Sequence, residues 1–285
     1  MSKKIESLLV IGTGTMGAGI AQVAAAAGCE VSLYDTALDA AENGRARIAA
    51  SLARAKEKGY VEAADMEDTL ARLHPVGTLE SSREAGAVIE AVREDLQVKQ
   101  EVFLQLENIV PPDTLLWTNT SMISITRIAD PLRHPERVAG THFFNPVPRM
   151  KLVEIIGGRR TDARTLEAAE SAVRAWGKTP VRAPDTPGFI VNRLLDALLR
   201  EALSLHEEGV EGRAIDEAVR LGLNFPMGPL ELMDLVGLDT TRDCLVAQAD
   251  GMGREFKCGE SLLRLVKDGR LGRKSGRGFF DYPPQ

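Results

Sequence analysis

The stretch "LLVIGTGTMGAGIAQVAAAAGCEVSLYD", residues 8–35, decides the fold. It opens on a short apolar run, residues 8–11, of the kind a strand buried on both faces shows. Gly12, Gly14 and Gly17 follow at G-x-G-x-x-G spacing. A helix-like run over 16–27 ends at Gly28, and a second strand over 30–34 ends at Asp35. Gly12 permits the tight turn, Gly14 lets a pyrophosphate approach the backbone, and Gly17 lets helix and strand pack closely. Thr15 and Met16 stand at the helix N-terminus, where free N–H groups and partial positive charge favour phosphate. Asp35 stands where an acid accepts hydrogen bonds from an adenosine ribose and disfavours a 2′-phosphate, so NAD is expected over NADP. A lone glycine motif is a weak signal. Strand, helix, second strand and terminal acid together make a dinucleotide site the expectation.

The alternation continues beyond Asp35. Residues 40–58 read as a long helix, 87–92 ("AVIEAV") as a strand, and 96–109 as a helix with Asp95 as N-cap. Pro111-Pro112 breaks that helix before a strand over 115–118. Strands over 138–142 and 151–156, a helix over 165–176 and a short strand over 179–182 complete the pattern. The fold class is therefore α/β: a Rossmann-like, doubly wound, mostly parallel sheet with helices on both faces. Ligands are expected beyond the carboxyl ends of its strands.

After "APDTPGF" the texture changes to helix alone. Residues 190–208 carry an apolar stripe wider than one core face requires, and "GRAIDEAVRLG", "GPLELMDLVG" and "ESLLRLVKDG" are further short helical stretches. A boundary near 183–187 separates a dinucleotide-binding domain over 1–184 from a helical domain over 185–285. The surplus apolar surface points to a subunit contact, although such a face also occurs in a core.

The chain has 285 residues, 44% of them apolar, which supports two domains and a real core. Its net charge is 35 − 41 = −6, and no basic block interleaves with aromatics, so nucleic acid is not an expected partner. The three cysteines, Cys29, Cys244 and Cys258, are far apart and form no Cys-x-x-Cys, which argues for a reducing compartment and against a metal site. "MSKKIESLLVIG" lacks a signal-peptide layout, and no apolar run is long enough to span a bilayer. A cytoplasmic protein without membrane contact is the expectation.

"THFFNPVPRMKLVEII", residues 141–156, raises the question of chemistry. Glu154 lies in an apolar strand, where an ionised carboxylate is costly unless paired. Of the four histidines, His74 precedes Pro75 in a connecting region, His134 sits in a polar turn, and His206 lies among glutamates on a helix. Only His142 ends a strand on the expected cofactor edge, close in sequence to an acid. The two prolines of "NPVP" limit backbone freedom and are placed to hold the two strand ends in register. Glu154 would then orient one imidazole nitrogen and favour imidazolium, leaving the other to exchange a proton. On spacing alone, a structural His–Glu pair in the core is an equal reading.

Taken together, "VIGTGTMGAGIAQ", "IEAVREDLQVK", "NTS", "HFFNPVPRMKLVEII", "DTPGFIVNRLL", "FPMGPLELMDLVGLD" and "LGRKSGRGFFDY" cover nearly the whole chain. They resemble the L-3-hydroxyacyl-CoA dehydrogenases, especially the bacterial 3-hydroxybutyryl-CoA dehydrogenases. The resemblance implies NAD-linked, reversible oxidation of an (S)-3-hydroxyacyl-CoA, with His142 and Glu154 as the catalytic dyad. It places Ser121 and Asn192 at the reacting end of the substrate, and Glu94 and Lys99 near the nicotinamide half of the cofactor. It carries Asn145 and Lys274 to the cofactor pocket. Ser51 and Lys58 match residues that meet CoA, although Arg45, Arg47, Arg54 and Lys56 on the same helix leave a solvated basic face as the alternative. A homodimer through the helical domain is also the family's habit. Met122, Arg149 and Asp95 depart from the family pattern, and the first two leave acyl preference open. Two rival readings are a non-enzymatic, crystallin-like NAD-binding protein and another two-domain hydroxyacid dehydrogenase. The latter would carry a lysine where this chain has Asn192 and Arg193.

Overall fold

Burial of apolar strands between helices organises the first half of the molecule. The computed structural model describes residues 5–253 and 259–283; Cys258 and the first four residues of the N-terminal stretch lie outside them. β1 (Ser7–Ile11), α1 (Thr15–Ala26) and β2 (Glu30–Tyr34) form the opening unit, followed by α2 (Leu38–Glu57), α3 (Ala63–Ala71) and β3 (Leu73–Val76). β4 (Ala87–Glu90), α4 (Leu96–Ile109), β5 (Leu115–Thr118) and α5 (Ile125–Ala129) come next. β6 (Val138–Phe143), β7 (Leu152–Gly157), α6 (Ala163–Ala175) and β8 (Thr179–Ala183) close the series.

All eight strands join one sheet in the order β3-β2-β1-β4-β5-β6-β7-β8. Every pairing is parallel except β6 with β7. The chain steps from β1 to β2 on one side and returns to β4 on the other. That reversal makes the topological switch point beside which dinucleotides bind in such sheets. β4 and β6 are buried along their whole length, as strands covered on both faces must be. Trp117 is wholly buried; it meets Trp176 edge-to-face at 6.4 Å, and Phe143 stacks on Trp176. α4 begins at Asp95, whose side chain accepts from the Val98 amide at 3.1 Å, as its sequence position suggests.

The remaining chain is helical: α7 (Val191–Glu207), α8 (Gly212–Gly222), α9 (Pro229–Val236), α10 (Leu238–Gly251) and α11 (Glu260–Lys267). Their core gathers Leu199, Leu203, Ile215, Leu230, Met233 and Leu262. Asp234 is buried in this unit and accepts from the Phe279 and Phe280 amides and the Tyr282 hydroxyl, each within 3.0 Å. Burial pushes its carboxyl up from the ordinary value, and those hydrogen bonds only partly offset the push. The chain divides into two compact units, residues 1–189 and 190–285.

Several elements differ from the sequence expectation. His74 does not sit in a connecting region; it lies in β3 opposite Ser32, with its Nε2 2.8 Å from Glu30 Oε2. α3 and α10 carry too little periodic apolar character to stand out: only Thr69 of α3 is buried, and α10 opens on "LDTTRD". The strand expected over 87–92 stops at Glu90, because the Val92 amide turns to donate to Glu90 Oε1. Arg45 is not part of a free basic face, since its guanidinium donates to the Leu70 and Leu73 carbonyls. On α7, Leu199 and Leu203 enter the core while Leu194 stays 68% exposed, so the wide apolar stripe is only partly used. Among the described residues, no helix is long and apolar enough to cross a membrane.

The caps of the first unit test this description. Asp162 opens α6 and accepts from the Thr165 amide at 2.6 Å. Asp162→Ala should cost about 1 kcal/mol, seen as a lower urea midpoint for the first unit with parental activity. An unchanged midpoint would remove the cap from the account.

Candidate active site

The glycine loop follows directly from β1. Gly12 turns at φ +86°, and a Cβ there would lie 2.6 Å from the Ala91 carbonyl oxygen. A Cβ at Gly17 would collide with the Gly12 carbonyl, so helix and turn meet backbone to backbone. Gly14 is different: a Cβ there would meet no protein atom within 4 Å. The protein does not need a glycine at that position for its own packing, whereas a phosphate approaching the backbone does. α1 begins at Thr15 with no side-chain cap, which leaves the amides of its first turn to a ligand.

Asp35 closes β2 and faces this loop. Its Oδ2 accepts from the Thr13 amide at 2.7 Å and the Thr13 hydroxyl at 2.9 Å; its Oδ1 accepts from the Thr36 amide at 2.8 Å. Burial alone would push the Asp35 carboxyl up, but these hydrogen bonds outweigh it and hold the group below the ordinary carboxylate range. A charged acid is thus fixed next to the glycine loop. Thr13, which sequence reasoning passed over, is the residue that joins the two. Gly14, the helix start and Asp35 together fit a dinucleotide.

The second cluster lies at the ends of β4 and β5. Glu90 is fully buried, and Lys99 Nζ bridges it to Glu94 at 2.8 Å and 3.2 Å. Thr118 donates to the other Glu90 oxygen at 2.6 Å. Glu94 Oε1 in turn accepts from the Thr120 hydroxyl, the Ser121 amide and hydroxyl, and the Met122 amide, at 2.5–3.3 Å. Burial would raise the Glu94 carboxyl; the Lys99 ammonium and these donors hold it below the ordinary range. The turn that carries Ser121 is therefore wrapped around a carboxylate. Further along, Asp185 accepts from the Ser124 hydroxyl and the Ile125 and Thr126 amides at 2.8–2.9 Å, capping α5.

The third cluster is the β6–β7 hairpin. In its antiparallel register His142 lies directly opposite Glu154. Side chains opposite one another share a sheet face, and here Nδ1 stands 2.8 Å from Glu154 Oε2. Both residues are buried. With Nδ1 committed to the carboxylate, Nε2 is the nitrogen left for proton exchange. Two phenylalanines wall the imidazole: Phe144 at 4.3 Å and Phe189 at 5.7 Å between centroids. Phe189 holds φ +48°, a conformation a bulky side chain seldom takes. Asn119 completes the join between strands, its Oδ1 accepting from the Phe143 amide at 2.9 Å. Sequence reasoning quoted Asn119 and the two phenylalanines without giving them a part.

The other expected residues are spread more widely. Asn145 is exposed at the hairpin tip. Ser51 is half-buried on α2, and Lys58 is exposed at its C-terminal cap. Asn192 and Lys274 belong to the second unit, Asn192 in the first turn of α7 and Lys274 ion-paired with Asp239 at 2.5 Å. Among the described residues there is no group of three His, Cys, Asp or Glu that could hold a metal ion.

Comparison with known proteins agrees with this geometry. Residues 7–186 match the family model for the 3-hydroxyacyl-CoA dehydrogenase NAD-binding domain, and residues 188–282 match the C-terminal domain of the same family. The chain is 47% identical over 99% of its length to the 3-hydroxyadipyl-CoA dehydrogenase of Escherichia coli, spanning 60% of that protein. It is 44% identical to a probable 3-hydroxybutyryl-CoA dehydrogenase of Bacillus subtilis, covering 98% of both chains. The crystal structure of (S)-3-hydroxybutyryl-CoA dehydrogenase from Ralstonia eutropha superposes with a TM-score of 0.94 at 36% identity, over 99% of this chain and 100% of that one. The turn that leaves Gly14 open, the acid that closes β2 and the family match converge: this chain belongs to the 3-hydroxyacyl-CoA dehydrogenase family of NAD-dependent oxidoreductases.

Proposed function

We propose that the chain catalyses reversible oxidation of a short-chain (S)-3-hydroxyacyl-CoA to the 3-ketoacyl-CoA, with His142 and Glu154 as its acid/base dyad. The observation that carries this reading is the buried 2.8 Å contact between His142 Nδ1 and Glu154 Oε2 at a directly opposed register position. The relatives named as 3-hydroxybutyryl-CoA dehydrogenases support the coenzyme A thioester and favour the short acyl chain.

In the oxidation direction, neutral His142 takes the substrate hydroxyl proton on Nε2. Glu154 keeps Nδ1–H oriented and stabilises the imidazolium that results. In the reverse direction the imidazolium returns the proton to the oxygen at C3. NAD, when bound, supplies the hydride acceptor or donor. Ser121, whose amide Glu94 holds, turns its one hydroxyl hydrogen from Glu94 to the substrate oxygen where charge develops. The amides of Thr15 and Met16 and the open face of Gly14 take the pyrophosphate; Asp35 takes the adenosine ribose. Glu94, Lys99 and Asn145 complete the cofactor pocket of the first unit, and Ser51 and Lys58 meet the CoA portion. Exposed apolar side chains on the helical unit, among them Leu194, Leu221 and Leu223, support a homodimer formed by that unit. A cytoplasmic location agrees with these assignments.

The direct test is turnover of acetoacetyl-CoA with NADH. Activity is expected; binding of NADH without turnover would leave the crystallin-like reading instead. His142→Ala should lower kcat by roughly 10²–10⁴ with NADH affinity retained, and near-parental turnover would dismiss the dyad.

Asp35 sets a second prediction. NADH should be preferred over NADPH, and Asp35→Ala should erode the preference. The hydrogen bonds from Thr13 and Thr36 keep this carboxylate ionised below its ordinary value, so the preference should hold as pH falls from 7 to about 5. A parental enzyme that uses both cofactors equally contradicts the assignment. For the assembly, light scattering should give the mass of two chains, and a concentration-independent single-chain mass would refute it.

A further inference from the structure

The connection between His142 and Glu154 is held by residues of two separate elements outside the dyad. Of residues 145–151, which form the hairpin tip, Val147 alone is buried. It packs on α1, the helix whose N-terminus faces the phosphates in the reading above. Gly19 lies one turn into that helix, outside the G-x-G-x-x-G motif. A Cβ at Gly19 would stand 2.8 Å from Val147 Cβ and 3.0 Å from Val147 Cγ2, closer than packed carbons come. The glycine is what lets the tip lie directly on the helix backbone.

Lys178 grips the same tip from a second element. It precedes β8, and β8 pairs with the strand that bears Glu154. Its side chain is largely buried, and Nζ donates to the carbonyls of Val147 at 2.6 Å, Met150 at 2.9 Å and Pro148 at 3.2 Å. An ammonium has three hydrogens, and all three are spent on this one turn. The neighbouring Thr179 amide donates to the Lys151 carbonyl at 2.7 Å, where the tip rejoins β7. No sequence pattern links Gly19, Val147 and Lys178; the fold does.

We propose that Gly19, Val147 and Lys178 are positioning residues that fix the tip of the β6–β7 hairpin, the first two by seating it on the cofactor helix and Lys178 by tying it to the start of β8. They set the dyad at a fixed distance from the bound dinucleotide. The inference rests on the functional reading above. Proton and hydride must leave one substrate carbon–oxygen unit together, so the groups that receive them need a common frame. A displacement of about 1 Å in such a frame costs on the order of 10²-fold in rate.

The test measures acetoacetyl-CoA reduction by NADH and by C4-deuterated NADH, with NADH affinity followed by fluorescence. Lys178→Met should lower kcat by roughly 10-fold or more and raise the deuterium isotope effect on kcat, with NADH affinity little changed. A loss of fold alone would reduce the amount of active enzyme and leave the isotope effect where it was. Gly19→Ala should also slow turnover. The decisive comparison is Gly19→Ala with and without Val147→Gly, which removes the atoms that the new methyl meets. The double variant should be faster than Gly19→Ala, although Val147→Gly alone is slower than the parent. Additive losses in that cycle, or parental kcat and isotope effect in Lys178→Met, would overturn this inference alone. A parental enzyme without turnover would take down the functional reading and this inference with it.

Discussion

The antiparallel register of β6 and β7 is the constraint on which the contact between His142 and Glu154 depends. β7 is the strand that reverses direction relative to its β6 neighbour, and this is why a short tip suffices to join the two. A slip of one residue in that pairing would carry Glu154 to the other sheet face, away from His142. Burial raises the stakes: an ionised carboxylate without its partner is strongly unfavourable in such a strand, so the pair must form together with the sheet. The phenylalanines beside the imidazole then pack against a contact that the backbone has already set.

Carboxylates recur around this pair in a second capacity. Glu94 gathers four donors from the turn that bears Ser121, and Asp185 gathers three from the start of α5. Each replaces the backbone partners that an irregular segment lacks. Glu90 works one layer deeper, neutralised by Lys99 and fixed by Thr118. The electrostatic balance is local: Lys99 is the cation that lets two acids share one corner of the first unit. A surface loop without such anchors would carry Ser121 less reproducibly.

The glycine spacing, the acid at 35, and His142 with Glu154 were legible because each depends on residue type at a short sequence interval. Long-range partners were not. Asn119 binds the Phe143 amide and Thr13 binds Asp35, and nothing in the local pattern of either residue announces those contacts. Phe189 gave no signal at all, since left-handed backbone at an aromatic residue contradicts its propensity and is imposed by the surrounding fold. α3 and α10 escaped notice because polar residues such as Thr69, Thr241 and Gln248 fill part of their buried faces. α4 was clear for the opposite reason, having both a cap and a proline pair to end it.

The segment from Asp185 to Phe189 reads as a connector, yet it is built into the first unit at both ends. Asp185 caps α5 and Phe189 walls the imidazole. Modular exchange of the two halves, or expression of the first half as a fragment, must therefore respect a seam after residue 189. A cut ahead of residue 185 would strip the cap from α5 and open the dyad on one flank, and a chimaera joined there would inherit a foreign residue against His142. This short connector is thus the piece of chain through which a graft would reach the His142 imidazole.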